Sequence, residues 1–247
     1  MSFALFGLGA LVLAALLFPL IWIWPAKAEA KTAFIQRGVH YAFRLFLWFV
    51  EVIGLMEFRF KGAEALRQSG PGLVVANHPT LLDVVMLISR LPQADCIVKK
   101  ELWDNFFLRG IVTCAGYLPN VDGPELVATA VEKVRQGRKL IIFPEGTRSL
   151  PTGLKPFTHG FAQIAVRAPC TLFPVFVTCQ PPALYKGHGI FEVPETKARL
   201  EASFEGALVA KSWYEAADPV PVAVRKVVSQ VRNYFEEKVP YDGLKDA

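Results

Sequence analysis

Short apolar runs alternate with longer amphipathic segments along most of this 247-residue chain. Turn residues bound the short runs, which predict buried strands at 73–76, 96–99, 139–143 and 171–179. The longer segments predict helices at about 80–91, 124–136, 157–166 and 218–238. Strands that alternate with helices in this way predict an α/β fold, in which helices flank a mixed, largely parallel sheet.

Residues that typically start or end a helix predict the ends of two of these helices. Pro92 is expected to close the first one, because proline is a poor continuation of a helix. For the second helix, Asp122 is the expected N-cap and Gly137 the expected C-terminal stop.

The amino-terminal segment has a different pattern, because residues 3–24 form 22 consecutive uncharged positions. As a helix this stretch would reach about 33 Å, close to the thickness of the bilayer hydrocarbon core. It therefore predicts a membrane anchor. A cleaved signal peptide is the alternative, since residues 26–28 resemble a cleavage site; however, no Lys or Arg precedes the apolar stretch, which is also longer than a typical signal-peptide core.

Residues 34–58 are rich in aromatic side chains, but Arg44 and Glu51 interrupt them. This favours a helix that lies in the membrane interface or pairs with the anchor, although a buried helix of the globular domain is an alternative. We therefore predict a membrane-associated segment at 1–57 and a globular domain with an amphipathic C-terminal helix at 58–247. The cations that follow the anchor, Lys27, Lys31 and Arg37, place the domain on the cytoplasmic side of the inner membrane.

Composition narrows the classes of function. The chain is 53% hydrophobic and carries a formal net charge of +5, without a recognised nucleic-acid motif. A basic surface against anionic lipid accounts for this balance, and we expect no nucleic-acid partner. The four cysteines have neither CxxC spacing nor histidines arranged as co-ligands, so we expect no metal site and no disulfide framework.

The first candidate for chemistry is Asn77-His-Pro-Thr-Leu-Leu-Asp83, which follows a predicted buried strand and begins a predicted helix. Ligands of open α/β sheets bind at the carboxyl ends of strands. Pro79 keeps His78 out of helical geometry, and Asp83 lies one turn further on, where its carboxylate can orient the imidazole as a general base. The same spacing also fits a helix capping box, with Asp83 satisfying backbone donors near Thr80.

The second candidate is Phe143-Pro-Glu-Gly-Thr-Arg-Ser149, which also follows a predicted strand. Glu145 and Arg148 supply a carboxylate and a guanidinium on a turn that Gly146 permits, and such groups can recognise hydroxyls and phosphates. Taken alone, the segment is more typical of an ordinary turn than of a binding site.

Together the two segments resemble the catalytic and acceptor-binding blocks of the lysophospholipid and glycerophospholipid acyltransferases. Lys99-Lys-Glu-Leu102 and Phe173-Pro-Val-Phe176 are similar to two further blocks, so the resemblance extends over about 73–177. It implies a glycerolipid acyltransferase-like fold in which His78 and Asp83 are catalytic. The substrate-binding residues that it implies are Glu145, Gly146, Thr147, Arg148, Lys99 and Lys100.

The resemblance also implies the reaction. An acyl thioester, either acyl-CoA or acyl-ACP (acyl carrier protein), would donate its acyl group to the hydroxyl of a membrane lysophospholipid without a cofactor or metal. The expected acceptor is 1-acyl-sn-glycerol-3-phosphate, which would give phosphatidic acid. A non-catalytic lipid-binding relative and a thioesterase are alternatives from other functional classes.

Two departures from the family's pattern make the acceptor less certain than the reaction. The stretch 116–123 lacks the arginine that phosphate-using members carry, and Thr158-His159-Gly160 replaces a basic pair followed by glycine. Each lost charge-assisted contact could be worth about 1.5–3 kcal/mol. The residues that could compensate are Lys99, Lys100, Arg109, Arg148 and Lys155, with His159 as a possible replacement contact. Otherwise the acceptor would be another lyso-lipid, such as a lyso-ornithine lipid or a specialised lipid anchor.

Overall fold

The computed structural model describes residues 27–121, 123–150, 153–185 and 196–238. Its strands in this part of the chain are β1 (Met56–Lys61), β2 (Gly72–Ala76), β3 (Asp95–Lys99), β4 (Leu118–Asn120), β5 (Lys139–Ile142), β6 (Thr171–Gln180), β7 (Ala198–Ser203) and β8 (Leu208–Val209). Its helices are α1 (Ala28–Val52), α2 (Ala63–Gln68), α3 (Asp83–Ile88), α4 (Glu101–Asp104), α5 (Phe106–Cys114), α6 (Pro124–Arg135), α7 (Gly160–Arg167) and α8 (Val220–Lys238), with a 3-10 turn at Ala210–Trp213.

The strands form one mixed, mostly parallel sheet in the order β1-β7-β6-β2-β5-β3-β4, with β8 paired to β6. Strands β6, β2, β5, β3 and β4 are parallel to their neighbours within this set, whereas β7 runs antiparallel to β6. The carboxyl ends of these five strands therefore lie at one edge of the sheet, which we call the carboxyl edge. This arrangement confirms the predicted mixed sheet flanked by helices.

Strand β2 is in the middle of the sheet and is buried on both faces. Val74 and Ala76 belong to an apolar cluster that includes residues of α1 and α3, whereas Leu73 and Val75 belong to a second cluster with residues of α6, α7 and α8. Helix layers thus cover both faces, which explains why the strand is an unbroken apolar run rather than an alternating one. The central strands are consequently a firm base for the loops at their carboxyl ends.

Helix α1 has one face in the core and one face in solvent. Ile35, Val39 and Leu47 are buried, whereas Tyr41 and Trp48 are 63% and 58% exposed. Within the part of the chain that the structure describes, no helix has the length and apolarity required to cross a membrane. The predicted anchor at 3–24 lies outside the described residues, and the division of the chain at residue 57 stays a prediction.

Element boundaries differ from the predictions where side chains compete with the helical backbone. The helix predicted at 80–91 is confined to Asp83–Ile88, because Thr80 and Asp83 bond to each other in the turn before it. Helix α6 begins at Pro124 with Gly123 in the N-cap position, and the predicted cap, Asp122, lies outside the described residues. Gly137 follows α6 with φ of +79°, which confirms the glycine stop.

Candidate active site

Asn77 fixes the point at which the chain leaves β2. Its side-chain amide donates to the Val177 carbonyl at 2.7 Å, and the Val177 N–H donates to its Oδ1 at 2.7 Å. Asn77 is fully buried, so both groups would be costly to leave unpaired. This two-bond bridge to the neighbouring strand β6 holds the first residue of the loop that carries His78.

His78 and Asp83 meet at the carboxyl edge. Nδ1 of His78 lies 2.8 Å from Oδ2 of Asp83, and the Asp83 side chain is completely buried, while that of His78 is 18% exposed. Because a carboxylate only accepts hydrogen bonds, the proton of the neutral imidazole lies on Nδ1, and Nε2 has an available lone pair. On one side, the ring packs against Phe143 with centroids 4.3 Å apart.

The same carboxylate also caps the turn before α3. Oδ2 of Asp83 accepts the Thr80 N–H at 2.7 Å, and Oδ1 accepts the Thr80 hydroxyl at 2.6 Å. The Thr80 hydroxyl oxygen in turn accepts the Leu82 N–H at 3.1 Å. The capping and histidine-orienting interpretations of the spacing therefore coexist, because one buried carboxylate has enough lone pairs for both.

The second segment forms a tight turn beside His78. Gly146 has φ of +67°, which favours glycine, and its N–H donates to the Phe143 carbonyl at 3.1 Å. Glu145 is only 5% exposed. Its Oε1 accepts the His78 N–H at 3.1 Å and the Ser149 hydroxyl at 2.6 Å, and its Oε2 accepts the Lys155 N–H at 2.9 Å. The two sequence segments are thus in direct contact.

Arg148 and Thr147 are half-buried, whereas Gly146 is exposed on the turn. Arg148 NH1 donates to the carbonyls of Leu184 and Tyr185, at 2.9 and 3.2 Å. The guanidinium therefore reaches the loop that follows β6, and among the described residues its other N–H groups have no hydrogen-bond partner.

Lys99 and Lys100 lie at the end of β3 and are exposed. Register pairs Lys99 with Asn120, so the lysine is next to the stretch in which the family's arginine is missing. Arg109 is exposed on α5, and His159 is exposed immediately before α7. Among the described residues, neither Lys99 nor Lys100 forms an ion pair.

The described residues offer few alternatives to His78 as the reactive group. They contain no cluster of His, Cys, Asp or Glu that could hold a metal ion. Burial, with the charge of Asp83 adding to it, raises the pKa of Cys179 to about 12. This thiol therefore stays protonated at neutral pH and is a poor nucleophile.

Some of this organisation has no clear signal in the sequence. The Asn77 bridge joins residues 100 positions apart, and the bond from His78 to Glu145 joins residues 67 apart. The sequence signal that could have marked Asn77 is its position as a polar residue directly after a predicted buried strand. The partner of each group depends on strand order, which a single sequence does not specify.

Comparison with known proteins agrees with the geometry. A family model described as "Acyltransferase" matches residues 57–178. A 1-acyl-sn-glycerol-3-phosphate acyltransferase of Helicobacter pylori is 30% identical over 163 residues, covering 60% of this chain and 65% of that protein. The human 1-acyl-sn-glycerol-3-phosphate acyltransferase beta is 32% identical over 142 residues, covering 52% of this chain and 50% of that protein.

Among solved structures, the 1-acyl-sn-glycerophosphate acyltransferase PlsC of Thermotoga maritima matches with a TM-score of 0.63 at 18% identity, covering 91% of this chain and 88% of that one. This likeness establishes the fold. The chain spans about half the length of the curated relatives that it matches. The family match over both sequence segments and the agreement in fold lead to one conclusion: the chain belongs to the acyltransferase family, alongside 1-acyl-sn-glycerol-3-phosphate acyltransferases.

Proposed function

We propose that this protein transfers a fatty acyl group from an acyl thioester to the hydroxyl of a lysophospholipid, with His78 as general base. The observation that supports this most directly is the 2.8 Å contact between His78 Nδ1 and the buried Asp83 carboxylate. It leaves Nε2 without a hydrogen-bond partner among the described residues. A partly exposed, oriented imidazole is suited to take a proton from an alcohol.

In the proposed reaction, Nε2 removes the proton of the acceptor hydroxyl as that oxygen attacks the thioester carbonyl carbon. Asp83 stabilises the imidazolium that forms. When the tetrahedral intermediate collapses, the carbon–sulfur bond breaks and Nε2 returns the proton to the departing thiolate. General-base catalysis of this kind contributes about 10² to 10⁴ in rate. The donor is acyl-CoA or acyl-ACP, and the steps require no metal and no covalent enzyme intermediate.

The acceptor that we propose is 1-acyl-sn-glycerol-3-phosphate, since this substrate gives its name to the relatives. A phosphate needs cations near the reacting hydroxyl. Strand β3 is two positions from β2 in the sheet, so its end is about 10 Å from the end of β2. The exposed Lys99 and Lys100, at this end, are therefore our candidates for the phosphate contact, together with Arg148 and the Gly146–Thr147 turn.

A panel of lyso-lipid acceptors tests this assignment. We expect purified full-length protein in detergent to transfer labelled acyl groups to 1-acyl-sn-glycerol-3-phosphate faster than to lyso-ornithine lipid, and His78→Ala to lose the transfer. A preference for lyso-ornithine lipid would overturn the acceptor but keep the mechanism. Release of free fatty acid without lipid product would indicate a thioesterase, and full activity of His78→Ala would overturn the mechanism.

We further propose that the exposed face of α1 rests on the membrane that supplies the acceptor, on the cytoplasmic side. Tyr41, Leu45, Trp48 and Val52 recur at helical spacing and are 58–63% exposed, and Arg44 is exposed beside them. Aromatic and basic side chains of this kind suit the headgroup region. Leu45→Glu with Trp48→Glu should weaken sedimentation with anionic vesicles, whereas the same exchanges at exposed positions of α8, Ser229→Glu and Gln230→Glu, should not. Equal binding of both double variants would contradict this orientation.

A further inference from the structure

The backbone of His78 is held on both sides by the segment 145–149. Its N–H donates to Glu145 Oε1 at 3.1 Å, and its carbonyl accepts the Ser149 N–H at 2.7 Å. Both backbone polar groups of the proposed base are therefore bonded to the other sequence segment. Immediately before it, Asn77 is tied to Val177 by two further bonds. The peptide that carries the imidazole is thus fixed from two directions, by strand β6 and by the segment that follows β5.

Glu145 is the centre of this arrangement, and protein groups occupy most of the acceptor sites of its carboxylate. Besides the His78 N–H, it accepts the Ser149 hydroxyl at 2.6 Å and the Lys155 N–H at 2.9 Å. A carboxylate has about four lone-pair sites, and three of them are occupied in a residue that is 5% exposed. A ligand that contacts substrate needs lone pairs directed into open space. The carboxylate of Glu145 is buried and already accepts three bonds from the protein, so it is suited to holding the loop instead.

We propose that Glu145 is a positioning residue, which acts through the backbone of His78 rather than by binding the acceptor. This inference rests on the function proposed above, and it gives a physical reason for the presence of both segments in one chain. The second segment supplies the frame in which the first one presents its base. Ser149 acts in the same frame, because its N–H bonds His78 and its hydroxyl bonds Glu145.

The chemistry makes such a frame necessary. Proton transfer requires Nε2 within hydrogen-bond reach of the acceptor hydroxyl, about 2.6–3.2 Å. A misplacement of about 1 Å can lower a rate about 100-fold. Asp83 orients the ring of His78, but it does not fix the position of the Cα atom from which the ring projects. The bonds from Glu145 and Ser149 fix that position.

Three variants separate the contacts. Glu145→Gln keeps an oxygen acceptor for the His78 N–H and the Ser149 hydroxyl but directs an NH₂ group at the Lys155 N–H. Glu145→Ala removes all three bonds. Ser149→Ala removes the hydroxyl bond and retains the backbone bond to the His78 carbonyl. We expect kcat to fall about 100-fold in Glu145→Ala and progressively less in Glu145→Gln and Ser149→Ala, with the acceptor KM within about twofold of wild type in all three.

A second measurement does not depend on activity. Hydrogen–deuterium exchange of the His78 amide should become faster in Glu145→Ala and stay close to wild type in Glu145→Gln. If Glu145→Ala does not fold, Glu145→Gln with its kcat and KM still tests the inference.

The outcomes distinguish this inference from the proposed function. If wild type transfers acyl groups and His78→Ala does not, but Glu145→Gln raises the acceptor KM at constant kcat with unchanged amide exchange, then Glu145 binds substrate and the inference is wrong. Unchanged kinetics and exchange in Glu145→Ala would also overturn it. If wild type shows no transfer, the proposed function fails, whereas faster exchange of the His78 amide in Glu145→Ala would still support the positioning role.

Discussion

Two fully buried carboxylates lie at opposite edges of the sheet, and their surroundings differ in kind. Asp95 lies at the start of β3. Its carboxylate accepts two hydrogen bonds from Arg138, at 3.0 and 3.1 Å, and Lys133 lies 3.4 Å away. Gln36 of α1 donates to the same carboxylate at 2.9 Å. Asp83, at the carboxyl edge, has no fixed cation within ion-pair distance among the described residues; its partners are the two donors of Thr80 and the imidazole of His78.

This difference separates a structural site from one suited to proton transfer. Two cationic side chains, Arg138 and Lys133, lie beside the carboxylate of Asp95, and Gln36 bonds to it as well, so that cluster ties together α1, β3, α6 and the start of β5. The charge of Asp83 is compensated by neutral donors and by the one partner that can become cationic. When His78 accepts a proton, the pair becomes an ion pair inside the protein, which favours the protonated intermediate of the proposed reaction.

The largest effect that we expect is on stability, from Asp95→Asn. This change leaves Arg138 and Lys133 beside a neutral amide, and breaking a buried pair on one side is strongly destabilising. The side chains of these cations are 28% and 21% exposed, so water compensates part of the loss. We therefore expect the free energy of unfolding to fall by about 3 kcal/mol. Urea unfolding measures the effect, and kcat of the folded protein should not change.

A matched control for Asp95→Asn is Asp218→Asn, which removes a surface pair with Lys226 of 2.7 Å. Exposed pairs contribute little, so its unfolding midpoint should be close to wild type. Equal destabilisation by the two variants would show that the Asp95 cluster does not stabilise the fold as described.

The same substitution at the other carboxylate, Asp83→Asn, should act mainly on the rate. The amide oxygen can replace Oδ2 and keep the bonds to His78 Nδ1 and the Thr80 N–H, so the fold should be retained. The imidazolium, however, loses its counter-charge. We expect kcat to fall about 100-fold, which corresponds to about 2.7 kcal/mol of transition-state stabilisation. Steady-state kinetics together with urea unfolding would contradict the comparison if Asp83→Asn lost stability and kept its rate.

A smaller effect should follow when the neutral member of the Asp95 cluster is changed. Gln36 donates to Asp95 and to the Ala115 carbonyl and accepts from Arg138, at 2.8–2.9 Å. Gln36→Leu removes one hydrogen-bond partner from each of Asp95, the Ala115 carbonyl and Arg138 but keeps the ion pairs. We therefore expect the free energy of unfolding to fall by about 1–2 kcal/mol. In the double variant with Asp95→Asn the losses should be less than additive, because the residues share one network. Strict additivity in urea unfolding would argue against that coupling.

The two clusters also show what a single sequence can predict. The residues of the Asp83 cluster lie within six positions, 78–83, and a buried strand before them marks an edge of the sheet, so local spacing was sufficient to propose the pair. The Asp95 cluster joins Gln36, Asp95 and Arg138, which are 59 and 43 positions apart. Such contacts depend on strand order and helix placement, and no local pattern encodes these.

The same limit applies to the fold and to the role of Glu145. Short, unbroken apolar runs bounded by turn residues predicted the central strands well, because these strands are buried on both faces. The three-residue strand β4 and the pairing of β1 with β7 depend on tertiary context and were not predicted. Glu145 was predicted to bind substrate because segment 143–149 resembles the family's acceptor-binding block, whereas its contacts with His78 and Lys155 are known only from the structure.

The smallest effect that we expect is on the pH dependence of stability, and it comes from His40, a buried histidine of α1. Burial lowers the pKa of His40 below its ordinary value of 6.5, and the nearby Arg44, Arg90 and Arg67 act in the same direction, against the bond from Nδ1 to the Ile88 carbonyl. The unfolded chain therefore binds the proton more readily than the folded one. His40 contributes stability that is fully present above about pH 6.5 and is lost as the pH falls towards the folded pKa.

Tm measured at about pH 7.5 and about pH 5.5 tests this sign. In His40→Gln, whose amide can still donate to the Ile88 carbonyl, the part of the Tm decrease that is due to His40 should disappear, so Tm should fall less on acidification than in wild type. His159→Gln is the matched control, because His159 is exposed and its exchange should leave the decrease unchanged. A decrease of the same size in wild type and His40→Gln would mean that His40 is not a source of acid sensitivity.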